Sequence, residues 1–155
     1  MESVRYDWVS AAPFRALVKQ LMADHRLPWR VVAVASGVPS GVVRSLLAGS
    51  NRKIRHRDAA ALLRLESRLV RLKNTPADSW VMAIGLSALS KRVKNVSAVS
   101  GLDDFTIRNY LSRGHGLANR LQEAWLLAAC EAHGIDPEDV IEAATFDTSE
   151  LAHAA

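Results

Sequence analysis

An internal repeat constrains the fold of this chain more than any other feature of its sequence. The segment "ASGVPSGVVRSLLAG", residues 35–49, has a counterpart 64 residues later in "VSGLDDFTIRNYLSRG", residues 99–114. Each copy places Ser-Gly before a short turn, and a run with helical periodicity follows. The residues that align at this offset are Ser36 with Ser100, Gly37 with Gly101, Arg44 with Arg108, and Leu47 with Leu111. The repeat predicts two helical units of similar design.

Apolar residues recur with helical periodicity along nearly the whole chain, and no segment shows a convincing strand pattern. Glycine and proline set the expected ends of the helices. The predicted helices cover residues 11–25, 29–36, 40–48, 58–73, 77–90, 93–100, 104–112 and 117–133, and a short one starts at Pro137 with Asp136 as its cap. We expect the last residues, 145–155, to be frayed. The sequence therefore predicts an all-α fold of two tandem helix-turn-helix units joined by a long helix.

The segment "NTPADSW" is the clearest boundary in the chain. Thr75 or Asp78 can cap a helix there, and Pro76 suits an early helical position. We therefore predict an N-terminal domain over residues 1–74, which includes the linker helix 58–73. A C-terminal domain with an acidic tail follows over residues 75–155.

Charge is distributed unevenly between the two halves. Residues 1–75 hold 14 Lys and Arg against 5 Asp and Glu, a net charge of +9. Residues 76–155 hold 6 against 11, a net charge of −5. A strongly basic segment is typical of a domain that binds a polyanion such as a nucleic acid.

The helix after the first Ser-Gly turn has two different faces when its residues are placed 100° apart. The face formed by Val43, Leu46 and Leu47 is apolar and should point inward. The opposite face carries short side chains and a single arginine, Arg44. Its residues are Gly41, Arg44, Ser45 and Ala48, with Ser40 at the edge. Such a face lets another backbone approach closely while one guanidinium group reaches outward.

The second copy should direct Ile107, Tyr110 and Leu111 inward. Its outward residues are Phe105, Arg108, Asn109 and Ser112. Arginine and asparagine suit bidentate contacts with guanine and adenine edges in the major groove. Phe105 has two interpretations, contact with a thymine methyl group or packing on the preceding helix. Asp104 also has two, a helix cap or an acceptor for cytosine.

The segment "AVASGVPSGVVRSLLAG", followed by "KIRHRDAAALLRL", resembles the helix-turn-helix of phage repressors of the lambda and Cro type. The whole chain, with its second unit, is similar to the immunity repressors of mycobacteriophages. The resemblance implies a repressor that binds an operator and scattered asymmetric sites and silences lytic genes. It also implies that bases are read by Ser40, Gly41, Arg44 and Ser45. At Gly41 the chain departs from the polar residue that is common in this motif.

The basic loop after the first motif should lie beside the sugar–phosphate backbone, where each neutralised phosphate releases counterions. Its residues are Arg52, Lys53, Arg55, His56 and Arg57, and the weaker loop of the second copy contains Arg113, His115, Asn119 and Arg120. The candidate DNA-binding residues are therefore Ser40, Gly41, Arg44, Ser45, Arg52, Lys53, Arg55, His56, Arg57, Asp104, Phe105, Thr106, Arg108, Asn109, Arg113 and His115.

The expected partner is double-stranded DNA with a non-palindromic site, bound by a monomer. The sequence shows no sustained heptad and no separate dimerisation domain. The helix 58–73 would be about 24 Å long, whereas successive major grooves on one face of DNA lie roughly 34 Å apart. This helix and the thickness of the two units could bridge that distance.

We predict no catalytic residues, metal, cofactor, small-molecule ligand or membrane contact. A single cysteine and the lack of a membrane-length apolar run fit a soluble intracellular protein. The resemblance implies the cytoplasm of a bacterial host, near the nucleoid. All four tryptophans should pack in the core. Two alternatives remain, the DNA-recognition fragment of a recombinase or transposase, and a helical adaptor or antitoxin that binds an acidic partner.

Overall fold

The computed structural model of the chain describes the backbone of residues 7–154 and the side chains of residues 7–146. Within this range the chain forms nine helices and two short strands. The helices are α1 (Ala12–His25), α2 (Trp29–Ser36), α3 (Ser40–Ala48), α4 (His56–Asn74), α5 (Ser79–Ser90), α6 (Val96–Ser100), α7 (Asp104–Arg113), α8 (Arg120–Ala132) and α9 (Pro137–Ala154), and the strands are β1 (Trp8–Ser10) and β2 (Lys53–Arg55). The predicted all-α class is confirmed. None of the helices within residues 7–154 combines the length and the apolar character that a membrane crossing requires.

The described residues divide into two compact units, the first ending at Val70 and the second beginning at Arg71. Helix α4 continues four residues beyond the first unit. The boundary predicted from the sequence, after residue 74, lies at the end of this helix.

The first unit is built around α1, α2 and α3, which pack against one another in pairs. Val32 of α2 and Val43 of α3 are completely buried in its core. Helix α4 adds Leu62, Leu65 and Leu69, which lie on one face of the helix and are buried. Each buried aliphatic side chain of this size contributes roughly 1.5–3 kcal/mol, so this apolar stripe holds α4 in the unit.

Strands β1 and β2 correct the expectation that the chain has no strand and that residues 52–57 form a loop. The two strands are antiparallel and pair Val9 with Ile54. Ile54 is buried, whereas Lys53 and Arg55 on either side of it are exposed. A three-residue strand is too short for a period-two pattern to be recognised in the sequence. Pairing between residues that are 43 to 47 positions apart in the chain forms the sheet.

The second unit is organised around α5, which contacts α6, α7, α8 and α9. Its core contains Met82, Leu86 and Leu89 of this helix, together with the buried Tyr110 and Leu126.

The start of α5 is fastened to the start of α8 by contacts between distant residues. The Ala77 N–H donates to the Ala118 carbonyl at 2.9 Å. The Asp78 N–H donates to Oε1 of the buried Glu123 at 2.8 Å. Asp78 in turn caps α5, because its carboxylate accepts from the N–H groups of Trp80 and Val81. Asp78 is therefore the cap, and Thr75 instead donates its hydroxyl to the preceding helix.

The first Ser-Gly turn has a specific hydrogen-bond pattern. The hydroxyl of the buried Ser36 donates to the Ala33 carbonyl at 3.1 Å and accepts from the Val38 N–H at 3.4 Å. Gly37 has a φ of 79°, which a residue with a side chain rarely adopts. The serine and the glycine together reverse the chain between α2 and α3.

The second Ser-Gly turn repeats this pattern. The hydroxyl of the buried Ser100 donates to the Val96 carbonyl at 2.6 Å and accepts from the Leu102 N–H at 3.3 Å. Gly101 has a φ of 73°. Ser36 and Ser100 thus make similar hydrogen bonds, since each donates to a carbonyl three or four residues earlier and accepts from the N–H two residues later.

Several helix ends in the second unit differ from the prediction. Helix α6 begins at Val96, three residues later than expected, because Asn95 caps it by accepting from the Ala98 N–H. Helix α8 begins at Arg120, because Asn119 and Gln122 form a capping box. The backbone of α9 is helical to Ala154, so the prediction of a frayed terminus is wrong over most of its range.

The tryptophans do not all lie in the core. Trp29 and Trp125 are half-buried, whereas Trp8 is 47% exposed and Trp80 is 40% exposed. The core prediction is therefore wrong for Trp8 and Trp80. Trp8 lies in the outer strand of a two-stranded sheet, and Trp80 lies in the first turn of α5. Each of these two tryptophans thus lies at the start of its element, where fewer neighbouring side chains can cover a ring.

Candidate nucleic-acid interface

The exposed face of α3 carries the residues that the sequence assigns to base readout. Gly41 and Arg44 are exposed, and Ser40 and Ser45 are half-buried. Val43 and Leu46 on the opposite face are completely buried. The structure therefore places these four candidate residues at the surface, on a helix whose apolar face lies in the core.

The local backbone conformation does not require a glycine at position 41. Its φ lies outside the left-handed region, and a Cβ added to it would meet no atom within 4 Å. Any small side chain would fit in the protein alone. The absence of a side chain is therefore a property of the surface of α3, where it leaves the backbone open to close approach.

Arg15 holds the end of α3 in place, and the sequence analysis missed it. Its Nε donates to the Leu46 carbonyl at 2.6 Å, and its Nη2 donates to the Asn51 carbonyl at 3.1 Å. The cation lies at the carbonyl end of α3, where the helix dipole favours positive charge. Its partners lie 31 and 36 residues away, so no local pattern could have identified this role.

The basic segment after α3, residues 52–57, is ordered by hydrogen bonds to the N-terminal strand at both of its ends. The Ala11 N–H donates to the Arg52 carbonyl at 2.9 Å, and the His56 N–H donates to the Asp7 carbonyl at 2.7 Å. Between these bonds lies the β1–β2 pairing. The backbone that carries the cations is thus fixed before any partner binds, which reduces the entropy lost on binding.

All five candidate residues of this segment are exposed. They are Arg52, Lys53 and Arg55 at β2, and His56 and Arg57 in the first turn of α4. None of them forms an ion pair with a carboxylate in the part of the chain that the structure describes. Their side chains are therefore accessible to an external anion.

Helix α7 presents a mixed surface in the second unit. Phe105 is 68% exposed, so the interpretation that it packs on the preceding helix is wrong. Arg108 is exposed and Asn109 is half-buried. Leu111 was expected to point inward, but it is 46% exposed. The neighbouring Tyr110 occupies the space under the helix, and its hydroxyl accepts from the Ala118 N–H at 3.1 Å.

The residue at the cap position of α7 is Asp103, not Asp104. The Asp103 carboxylate accepts a hydrogen bond from the Thr106 hydroxyl, so Thr106 is engaged within the helix start. Asp104 is exposed in the first turn. A carboxylate at that position favours the helix through its dipole and faces solvent.

The loop after α7 contributes fewer free groups than its sequence suggests. Arg113 and His115 are exposed. Asn119 is the cap of α8, and Arg120 forms an ion pair with Glu123 at 3.0 Å. Two of the four polar residues of this loop therefore serve the fold.

Two observations concern side chains that could hold a metal ion or act as a nucleophile. No three His, Cys, Asp or Glu side chains within residues 7–146 are grouped so that they could hold a metal ion. Cys130 is buried, and burial raises the pKa of its thiol to about 11. A thiol with so high a pKa carries almost no thiolate at neutral pH and is a poor nucleophile.

Comparisons of the chain with protein-family models, with curated proteins and with solved structures find no match.

Proposed function

We propose that this protein is a sequence-specific repressor of transcription that binds double-stranded DNA through two helix-turn-helix units. In each unit the helix after the Ser-Gly turn, α3 or α7, would enter a major groove. The bases would be read by Arg44 and Arg108, and Asn109 would assist in the second unit. Guanidinium groups at such positions contact guanine bidentately.

The observation that carries the proposal is the surface formed by α3 and the basic segment 52–57. The exposed face of α3 carries mostly short side chains, and the helix ends four residues before Arg52, where a run of exposed basic residues begins. Both parts are held in place, the helix by Arg15 and the segment by the β1–β2 pairing. A helix face with short side chains can enter the major groove of DNA, and ordered basic side chains beside it can contact the phosphates along the groove.

The repeat supports a second contact from the same chain. The two Ser-Gly turns have equivalent hydrogen bonds and equivalent left-handed glycines. Their following helices differ in exposed residues, so the two contacts would read different base sequences. The target is then an asymmetric site bound by one protein molecule, and the covalent link raises the effective concentration of the second contact. The sequence resemblance to mycobacteriophage immunity repressors agrees with this, and implies action in the cytoplasm of a bacterial host.

Selection of bound fragments from random duplex DNA tests the proposal directly. We expect one asymmetric consensus site and a complex that contains one protein molecule by sedimentation. Arg44→Ala and Arg108→Ala should each lose about 1–3 kcal/mol of discrimination between this site and random duplex. Lys19→Ala, which removes an exposed charge from α1, serves as the control and should keep the discrimination. A palindromic site bound by two molecules would contradict the monomer, and failure to enrich any sequence would contradict the function.

A protein-binding adaptor is a second candidate, and the surface of the second unit favours it. Phe105 and Leu111 of α7 are exposed, and Leu117 in the next loop is completely exposed. Apolar side chains at a surface are typical of protein interfaces. Binding to nonspecific duplex at low salt separates the two functions, because an adaptor should bind DNA barely at all.

A further inference from the structure

A cavity of about 450 Å³ lies beside the two-stranded sheet of the first unit. Its lining consists of Asp7, Trp8, Arg55, His56 and Arg57. Among the described residues that line it, two carry a guanidinium group and one carries a carboxylate, which favours an anion over a cation. The volume is within the range of sites that bind small organic groups. The candidate base-reading residues do not line it.

Trp8 and Arg55 form a stacked pair at this cavity. The register of β1 and β2 places the two residues directly opposite each other. The guanidinium carbon of Arg55 lies 5.5 Å from the centre of the Trp8 ring. Cation–π attraction acts at this distance, and it restricts the rotation of the arginine. The guanidinium group of Arg55 carries five N–H donors in a planar fork that matches the oxygens of a phosphate.

We propose that this cavity binds a phosphate group, with Arg55 and Arg57 as the donors and Trp8 as a positioning residue for Arg55. The inference rests on the proposed function and adds a specific contact to it, because Trp8 lies outside the basic segment. It also gives a reason for the exposure of Trp8. At the surface the ring contacts the exposed side chain of Arg55.

Two kinds of ligand could supply the phosphate group to this cavity, the backbone of duplex DNA and a free nucleotide. The first arm of the experiment measures the dependence of DNA affinity on salt concentration. Loss of one phosphate contact lowers the slope of log K against log salt by about 0.9. We expect this decrease in Arg55→Ala and a similar decrease in Trp8→Ala. Trp8→Phe, which keeps an aromatic face, should restore the wild-type slope.

The control for the first arm is Trp80→Ala, which removes a tryptophan of similar exposure from the second unit. It should keep the wild-type slope. The double variant Trp8→Ala/Arg55→Ala should have the same slope as Arg55→Ala, because the tryptophan acts through the arginine. A structural role for Trp8 alone would lower the thermal stability without changing the slope.

The second arm titrates a deoxynucleoside monophosphate into the protein without DNA and follows the backbone amide resonances of Arg55 and His56. Saturable shifts that disappear in Arg55→Ala, together with an unchanged salt slope in that variant, assign the cavity to a free nucleotide. No saturation together with a reduced slope assigns it to the DNA backbone. The inference is overturned if the wild-type protein binds DNA, the salt slope is unchanged in Arg55→Ala, and no nucleotide binds. The proposed function would then remain intact. Absence of DNA binding by the wild-type protein would overturn the proposed function instead.

Discussion

Replacement of Arg15 by methionine should loosen the end of the proposed recognition helix. The guanidinium group makes two hydrogen bonds, to the carbonyls of Leu46 and Asn51. A hydrogen bond from a charged donor contributes about 1.5–3 kcal/mol when it is buried. Arg15 is half-buried, and competition from water reduces each bond to about 1 kcal/mol. We therefore expect Arg15→Met to lower the free energy of unfolding by roughly 2 kcal/mol, a factor of about 30 in the unfolding equilibrium.

Urea unfolding followed by circular dichroism measures this loss, with a slope that should stay the same as in the wild type. Amide hydrogen exchange supplies a local measurement. The N–H of Ser50 donates to the Ser45 carbonyl at the end of α3, and its exchange should accelerate in the variant. Arg15→Lys should fall between the wild type and Arg15→Met, because one ammonium group cannot serve both carbonyls in the geometry of a guanidinium.

Lys19→Met is the matched control, since it removes the same charge from an exposed position one turn further along α1. Its effect should stay within about 0.5 kcal/mol, as for most surface substitutions. The reasoning is refuted if Arg15→Met and Lys19→Met lower the stability equally, or if the exchange of the Ser50 amide is unchanged.

Three further predictions concern the glycines and the cysteine. Gly41→Ala should raise the melting temperature slightly, because alanine is the better helix former by up to about 1 kcal/mol and its Cβ meets open space. The same variant should bind DNA more weakly in a mobility-shift assay. Unchanged affinity would argue against a close approach of α3 to DNA. Gly116→Ala should lower the free energy of unfolding by about 1–3 kcal/mol in urea unfolding, since its Cβ would lie 2.7 Å from Cε2 of Tyr110. Stability equal to that of Gly41→Ala would contradict this prediction. Cys130 should react with a thiol reagent at pH 8 at least about 100-fold more slowly in the native protein than in urea, because its pKa is raised from 9.0 to about 11; equal rates would show that the thiol is not buried.

The local elements of the fold could be predicted from the sequence to a large degree. The bounds of α2 and α3 agree with the predicted helices 29–36 and 40–48. Each of these helices ends at a glycine with positive φ, and a glycine or a proline acts on the backbone within one turn of itself. The aligned serines of the repeat also proved equivalent, since their hydrogen bonds reach only two to four residues along the chain.

The candidate interface was predictable only in part. The sequence correctly indicated that Gly41 and Arg44 are exposed and that Val43 and Leu46 are buried, because the periodicity of a helix determines which residues share a face. It placed Phe105 on the outward face of α7 but left its packing open, and it wrongly placed Leu111 inward. The periodicity alone did not determine the exposure of these two residues. That depends on the residues which cover α7, and the large ring of Tyr110 already fills the available space.

What the sequence determined by itself is the set of helices, the glycines that end α2 and α3, the two Ser-Gly turns and the segregation of charge between the halves. The tertiary structure decided where distant segments meet. Examples are the pairing of β1 with β2, the hydrogen bonds of Arg15 at the end of α3 and the contact of Trp8 with Arg55. The physical reason is the range of the interactions. Helical periodicity and capping act over about four residues, whereas these contacts join residues that are 31 to 47 positions apart and form only once the core has brought them together.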